Sequence, residues 1–217
     1  LKAAYTLTDS SPLGSAASYG VPLPLDREFV AEKLGFSRVQ RNVLHVNNSR
    51  GKTEGYILDA LDHLTTTYSK LAQDLILVSL PEFGYFSLPK ELCSGSSIMP
   101  QKRNPDGLEL MRAKAGAMHN YASTVKDIIR SLPSGYNRDY QEKKEPFLFG
   151  LALGEQASAI MDLTIRSVSV HEEALRRGFT RDIYATDAAL ELVEKGVSFR
   201  DAYVQVGTNL DALDEYD

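Results

Sequence analysis

Between Gly95 and Glu109 the chain reads GSSIMPQKRNPDGLE, which crowds unusual chemistry into one loop. Ser96 and Ser97 bring hydroxyls, Lys102 and Arg103 bring positive charge, and Asn104 offers both a donor and an acceptor. Gly95 admits backbone conformations closed to other residues and lets a ligand approach. Pro105 then leads into a helical pattern whose N-terminus carries free N–H groups and partial positive charge. That set suits an anion, most simply a carboxylate or a phosphate. Composition alone equally allows a surface loop with incidental charges. The spacing is not that of a Walker loop, and neither serine sits in a G-x-S-x-G elbow with a histidine nearby in sequence.

Long helices are expected on either side of this loop. Upstream, Ile57, Leu61, Leu64, Tyr68, Leu71, Leu75 and Val78 alternate in steps of four and three. No Gly or Pro intervenes from Tyr56 to Leu80, and Pro81 ends the run. Downstream, Leu108, Met111, Ala115, Met118, Ala122, Val125, Ile129 and Leu132 repeat the pattern until Pro133 and Gly135. Asp106 and Glu109 open that helix in a capping-box-like relation. A polar loop, SGYNRDYQEKKE, precedes a third helix with Pro146 in its first turn. This helix is predicted to run to about Arg177, with a stripe through Leu153, Ala157, Ile160, Leu163, Val170 and Leu175. Leu1–Pro24 reads as extended or looped. LDREFVAEKLG reads as a short helix capped by Asp26 and closed by Gly35. Two short helices, each closed by a glycine, fill the segment from Phe179 onward.

These patterns predict an all-α fold: a bundle of long helices, with the beginning of a small helical C-terminal domain. The boundary falls near Gly178, giving 1–178 as a partial central bundle domain carrying the loop 95–105, and 179–217 as the start of the second domain. Helices of this length offer faces beyond an intrachain seam, so a homo-oligomer is expected. With 43% hydrophobic and 24% charged residues, the composition is that of an ordinary globular protein. A net charge of -5 gives no basic footprint for nucleic acid and no polybasic anchor for a membrane. The single cysteine, Cys93, fits a reducing compartment, and a cytoplasmic location is expected. Leu1 at the start and NLDALDEYD at the end suggest a piece of a longer protein.

GSSIMPQKRNPDGLE closely resembles the signature loop of the fumarase/aspartase superfamily, lyases that release fumarate or an analogue from a substituted succinate. Within it, MPQKRNPD resembles the argininosuccinate lyases, where Gln101 distinguishes them from relatives with Gly or His. Three other stretches are similar to that family: SPLGSAASYGVPLPLDREFVAEKLGF, LPSGYNRDYQEKKE, and YATDAALELVEKGVSFRDAYVQVG. The resemblance covers almost the whole chain.

It implies cleavage of a small molecule, argininosuccinate, to arginine and fumarate in arginine biosynthesis, with no cofactor and no metal. It also implies a homotetramer whose active sites each draw residues from three subunits. Ser96 matches the base that removes a proton beside a carboxylate. Lys102 and Asn104 match positions that hold the carboxylate, and Ser97 lies in the same loop. Glu109 matches the carboxylate that orients a catalytic histidine, though a capping role is the plainer reading of that residue. Tyr136, Gln141 and Lys144 match substrate-contacting positions, with Lys144 pairing with a substrate carboxylate; a solvated polar loop is the lesser alternative for this segment. Ser15 lies near the family's substrate pocket.

The chain also departs from the family. Ala16 stands where many members have glycine. NNSRGKTE replaces the commoner S-D-R-D segment, so Asn48 and Gly51 lack the usual carboxylates, and Tyr203 replaces a histidine taken as structural. The family's Thr-His segment is missing, and none of His45, His63, His119 and His171 matches the catalytic histidine by context. His63, His119 and His171 are expected within helices. The chain by itself is therefore expected to be inactive. Alternatives are another fumarate-releasing lyase, a crystallin-like relative without activity, and a helical scaffold whose loop only binds anions.

Overall fold

The computed structural model of the chain describes residues 1–17 and 19–213. Nine α-helices occur among them: α1 Lys2–Thr8, α2 Arg27–Lys33, α3 Val43–Asn48, α4 Lys52–Val78, α5 Asp106–Ile129, α6 Lys144–Ser167, α7 Glu172–Arg177, α8 Ala185–Glu194 and α9 Phe199–Gly207. One two-stranded antiparallel ribbon, β1 Phe86–Ser87 and β2 Ser169–Val170, pairs Phe86 with Val170 and Ser87 with Ser169. The fold is all-α, as the periodicity predicts. The chain divides into two compact units. One is Leu1–Ile76 with Leu88–Ser167; the other is Leu77–Ser87 with Val168–Asp217, described to residue 213.

The first unit is built on α4, α5 and α6, which meet in a core of Leu58, Leu61, Met118, Ala122, Val125 and Leu153. In α5 the buried line Leu108, Met111, Ala115, Met118, Ala122 and Val125 is the predicted stripe. In α4 the seam is rotated from the predicted one. Gly55, Leu58, Leu61, Thr65, Ala72 and Leu75 are buried, while Ile57, Leu64, Tyr68, Leu71 and Val78 are only half-buried along its flank. The inward line favours small residues because the helices approach closely. In α6 the same preference places Gly150, Gly154 and Ala157 inside. A Cβ added at Gly150 would stand 2.5 Å from Leu58 Cδ2, and one at Gly154 would stand 3.0 Å from Leu61 Cδ1, so the two leucines fill the space these glycines leave open. Thr65 buries its hydroxyl by donating to the Leu61 carbonyl at 3.0 Å.

Polar pins at heptad spacing on α5 fix its register against α4: Arg112 to Gln73 at 2.5 Å, His119 to Asp62 at 3.0 Å, and Lys126 to Asp59 at 2.5 Å. The α6 stripe is corrected. Ile160, Leu163 and Val170 are exposed, and the helix ends at Ser167, ten residues before the predicted end. The sequence that follows, VSVHEE, carries β-branched residues that suit a strand, and Ser169–Val170 joins the ribbon instead. His171 lies outside the helices. Its N–H donates to the Tyr85 carbonyl at 2.9 Å, and its Nε2 lies 2.8 Å from the Ser87 hydroxyl.

Other boundaries also differ from expectation. Residues 2–8 are helical rather than extended, and α4 begins four residues before Tyr56. Asp26 caps α2 as expected, accepting from the Phe29 N–H at 2.9 Å, and Gly35 takes a φ of 77° beyond its end. At α5 no capping box forms: Pro105 is the capping residue, and Asp106 is the first helical one. The reach-back occurs at α4, where Glu54 Oε2 accepts from the Gly51 N–H at 2.7 Å.

Gly51 has φ 79°, and a Cβ there would run into the Ile129 side chain. Replacing Gly51 with Ala therefore incurs both left-handed strain and a clash, and lowers unfolding stability by about 2 kcal/mol or more, measured by urea denaturation.

Candidate functional site

The loop before α5 is closed at its feet. Ser94 and Asn104 exchange backbone hydrogen bonds of 3.0 and 2.9 Å, and Asn104 Nδ2 donates to the Gly95 carbonyl at 3.4 Å. Nine residues thus arch between two fixed points. Inside the arch the chain turns on Ser96, whose hydroxyl oxygen accepts the N–H groups of Ile98 at 3.2 Å and Met99 at 3.1 Å. Two amide dipoles aimed at one oxygen favour its anion over its neutral form. The next turn is closed by the Lys102 N–H donating to the Met99 carbonyl at 3.1 Å. Ser97 and Lys102 are exposed, as is the Glu109 carboxylate on the first turn of α5.

Beside the arch lies a cleft of about 600 Å³ whose lining includes Lys90, Lys102 and Arg103 and no acidic residue. That is an anion's environment. Cys93 also lines it, and burial raises its thiol above the ordinary value against the opposing charge of Arg103. The thiol is therefore protonated at neutral pH.

The second group of predicted site residues lies elsewhere. The segment carrying Tyr136 and Gln141 follows the C-terminus of α5, and Lys144 opens α6. Tyr136 and Lys144 are exposed and Gln141 is half-buried. Ser15 is buried and spends its hydroxyl on the Pro12 carbonyl at 2.9 Å. It lines a second cavity, of about 670 Å³, together with Asn47, Arg50, Thr53 and Glu54. In the same turn Ala16 has φ 54°, a left-handed conformation that accounts for a glycine preference at this position.

The structure therefore brings Ser96, Ser97, Lys102, Asn104 and Glu109 together at one end of α5. It places Ser15, Tyr136, Gln141 and Lys144 around the other. A helix of 24 residues separates the groups by about 36 Å.

The residues that hold the second group in place carry no spacing signal in the sequence. Arg50 lies over the rings of Tyr136 and Tyr140, at 5.7 and 4.6 Å from their centroids. Lys143 Nζ pairs with Glu54 Oε1 in a largely buried contact. Asn48 donates to the Ser134 hydroxyl at 3.1 Å and accepts from the Gly135 N–H at 3.3 Å. These partners lie nearly ninety residues apart in sequence, so no local pattern announces them.

A family model described as a lyase matches residues 1–119. The chain belongs to this lyase family. It is 44% identical over 210 residues to an argininosuccinate lyase of Thermotoga neapolitana, covering 95% of this chain and 52% of the relative. It is 40% identical over 208 residues to an argininosuccinate lyase of Stenotrophomonas maltophilia, covering 96% and 48%. The chain spans about half the length of the curated relatives it matches. Among solved structures, EDDS lyase in complex with formate superposes with a TM-score of 0.79 at 23% identity, over 95% of this chain and 41% of that one. The chain thus has the helical, fumarase/aspartase-like fold. Among the described residues no helix is long and apolar enough to cross a membrane.

Burial lowers Lys143 from 10.5 to about 8, with further lowering from the Arg50 and Lys144 cations. A lysine depressed by folding opposes stability fully below pH 8, and the opposition is relieved as pH rises toward 10.5. The stability of the native chain relative to its Lys143→Met variant is expected to rise between pH 7.5 and 10. Urea unfolding of both across that range measures it.

Proposed function

We propose that the protein carrying this chain is an argininosuccinate lyase, splitting argininosuccinate into arginine and fumarate in arginine biosynthesis. The observation that carries the reading is the Ser96 hydroxyl, which accepts two backbone N–H groups inside a loop whose neighbouring cleft is cationic. Serine is a poor base in water and needs surroundings that hold its anion. Ser96 removes the proton from the carbon beside a substrate carboxylate. The electron pair moves into that carboxylate and then expels the guanidino nitrogen, which takes a proton from the histidine that Glu109 orients and leaves as arginine. Charge on the enediolate-like intermediate exceeds that on the substrate. Lys102, Asn104 and the N-terminus of α5 therefore lower the barrier rather than merely bind. Glu109 orients a histidine, and Ser97 helps to hold the carboxylate. Tyr136, Gln141, Lys144 and Ser15 receive the arginine portion.

The reading includes a homotetramer and a cytoplasmic location, with residues 1–178 as part of a central bundle domain and 179–217 as the start of another. Two observations support assembly. The two groups of site residues lie about 36 Å apart along α5, so one site containing both would draw them from different copies. In addition, α6 exposes Leu148, Phe149, Leu151, Ile160, Leu163 and Ile165.

In the full-length protein, Ser96→Ala is expected to cut fumarate formation, followed by ultraviolet absorbance, roughly 10²–10⁴-fold with little change in KM. Undiminished turnover would overturn the assignment. Sedimentation of the full-length protein at micromolar concentration is expected to give a tetramer.

A further inference from the structure

We propose that Arg50, Glu54 and Lys143 form a clamp that positions the segment 134–144 for substrate, so that they act as positioning residues for its Tyr136, Gln141 and Lys144. The segment has little regular structure to hold it: a turn at Arg138–Gln141, with α6 beginning at Lys144. Its anchorage comes from the connection between α3 and the first turn of α4.

Glu54 is the centre of the device. One carboxylate oxygen accepts the Gly51 N–H at 2.7 Å, which fixes the carboxylate to the start of a 27-residue helix. The other oxygen takes the Lys143 ammonium. Lys143 is 7% exposed, so its charge is out of water and needs that carboxylate. The neighbouring Lys144 is exposed. Adjacent lysines thus divide the work, one held inside and one left open to solvent.

Arg50 adds a planar contact. Its guanidinium lies over both Tyr136 and Tyr140, and Tyr140 is 4% exposed. Tyr136 is therefore held through its ring while its surroundings stay open. Lysine lacks the flat, weakly hydrated surface that makes this contact. Arg50 and Glu54 also line the cavity that contains Ser15, so one small segment shapes both the cavity wall and the loop beside it.

The kinetic half of the test rests on the proposed lyase activity; the structural half does not. In the full-length protein, hydrogen exchange of peptides covering 134–144 is compared among wild type, Glu54→Gln, Lys143→Met, Arg50→Lys and the exchanged pair Glu54→Lys with Lys143→Glu. The clamp predicts exchange at least about tenfold faster in the single variants, confined to that segment. It also predicts a KM for argininosuccinate raised at least about tenfold with kcat within about threefold. The exchanged pair is expected to recover part of both, because a lysine at 54 restores the ion pair but cannot accept the Gly51 N–H.

Unchanged exchange and KM in the single variants would overturn the proposal, as would an exchanged pair no better than either single change. Should the two ion-pair variants fail to fold, Arg50→Lys decides, since it keeps the pair and removes only the stacking. Wild-type protein that releases no fumarate would sink the lyase reading alone, and the exchange data would still test the clamp.

Discussion

The side-chain core shared by three long helices governs everything else in this chain. Their inward lines alternate large side chains with small ones: Leu58 and Leu61 on α4, Met118 and Ala122 on α5, and Gly150, Leu153, Gly154 and Ala157 on α6. The leucines fill space left by the glycines, so the rods can neither rotate nor slide without losing contact. Irregular backbone is confined to the ends of the rods, and there the polar chemistry collects.

Each end solves its own problem of order. Before α5, a nine-residue arch is held by one backbone bridge at its feet and by amide hydrogen bonds to a serine in its middle. After α5, the chain is held by side chains from the start of α4: a buried ion pair, a guanidinium over two tyrosines, and an asparagine that both donates and accepts. The first solution is local in sequence and the second is not.

That difference explains what could be read from the residues alone. The α5 stripe was legible from Leu108 to Val125, where its apolar residues lie on one line, while Ile129 and Leu132 at its predicted end are only half-buried and the helix stops at Ile129. The α4 seam was misplaced by one position because the leucines of the flank are more hydrophobic than the Gly55, Thr65 and Ala72 that face inward. Apolar periodicity finds greasy faces, whereas tight packing selects small ones. The end of α6 was overshot because the ribbon partner, Phe86–Ser87, comes from a distant part of the chain. At the site, GSSIMPQKRNP stood out as one contiguous word. Lys143 and Glu54 looked like ordinary solvated charges, since only folding brings them together.

The seam has a mechanical consequence. A rod of this length acts as a lever, so a tilt of about 3° at one end carries the other through about 2 Å. Displacements of about 1 Å in a reacting pair can slow chemistry a hundredfold. Residues such as Gly154 and Ala122, buried midway and touching nothing reactive, thereby acquire authority over alignment at both tips.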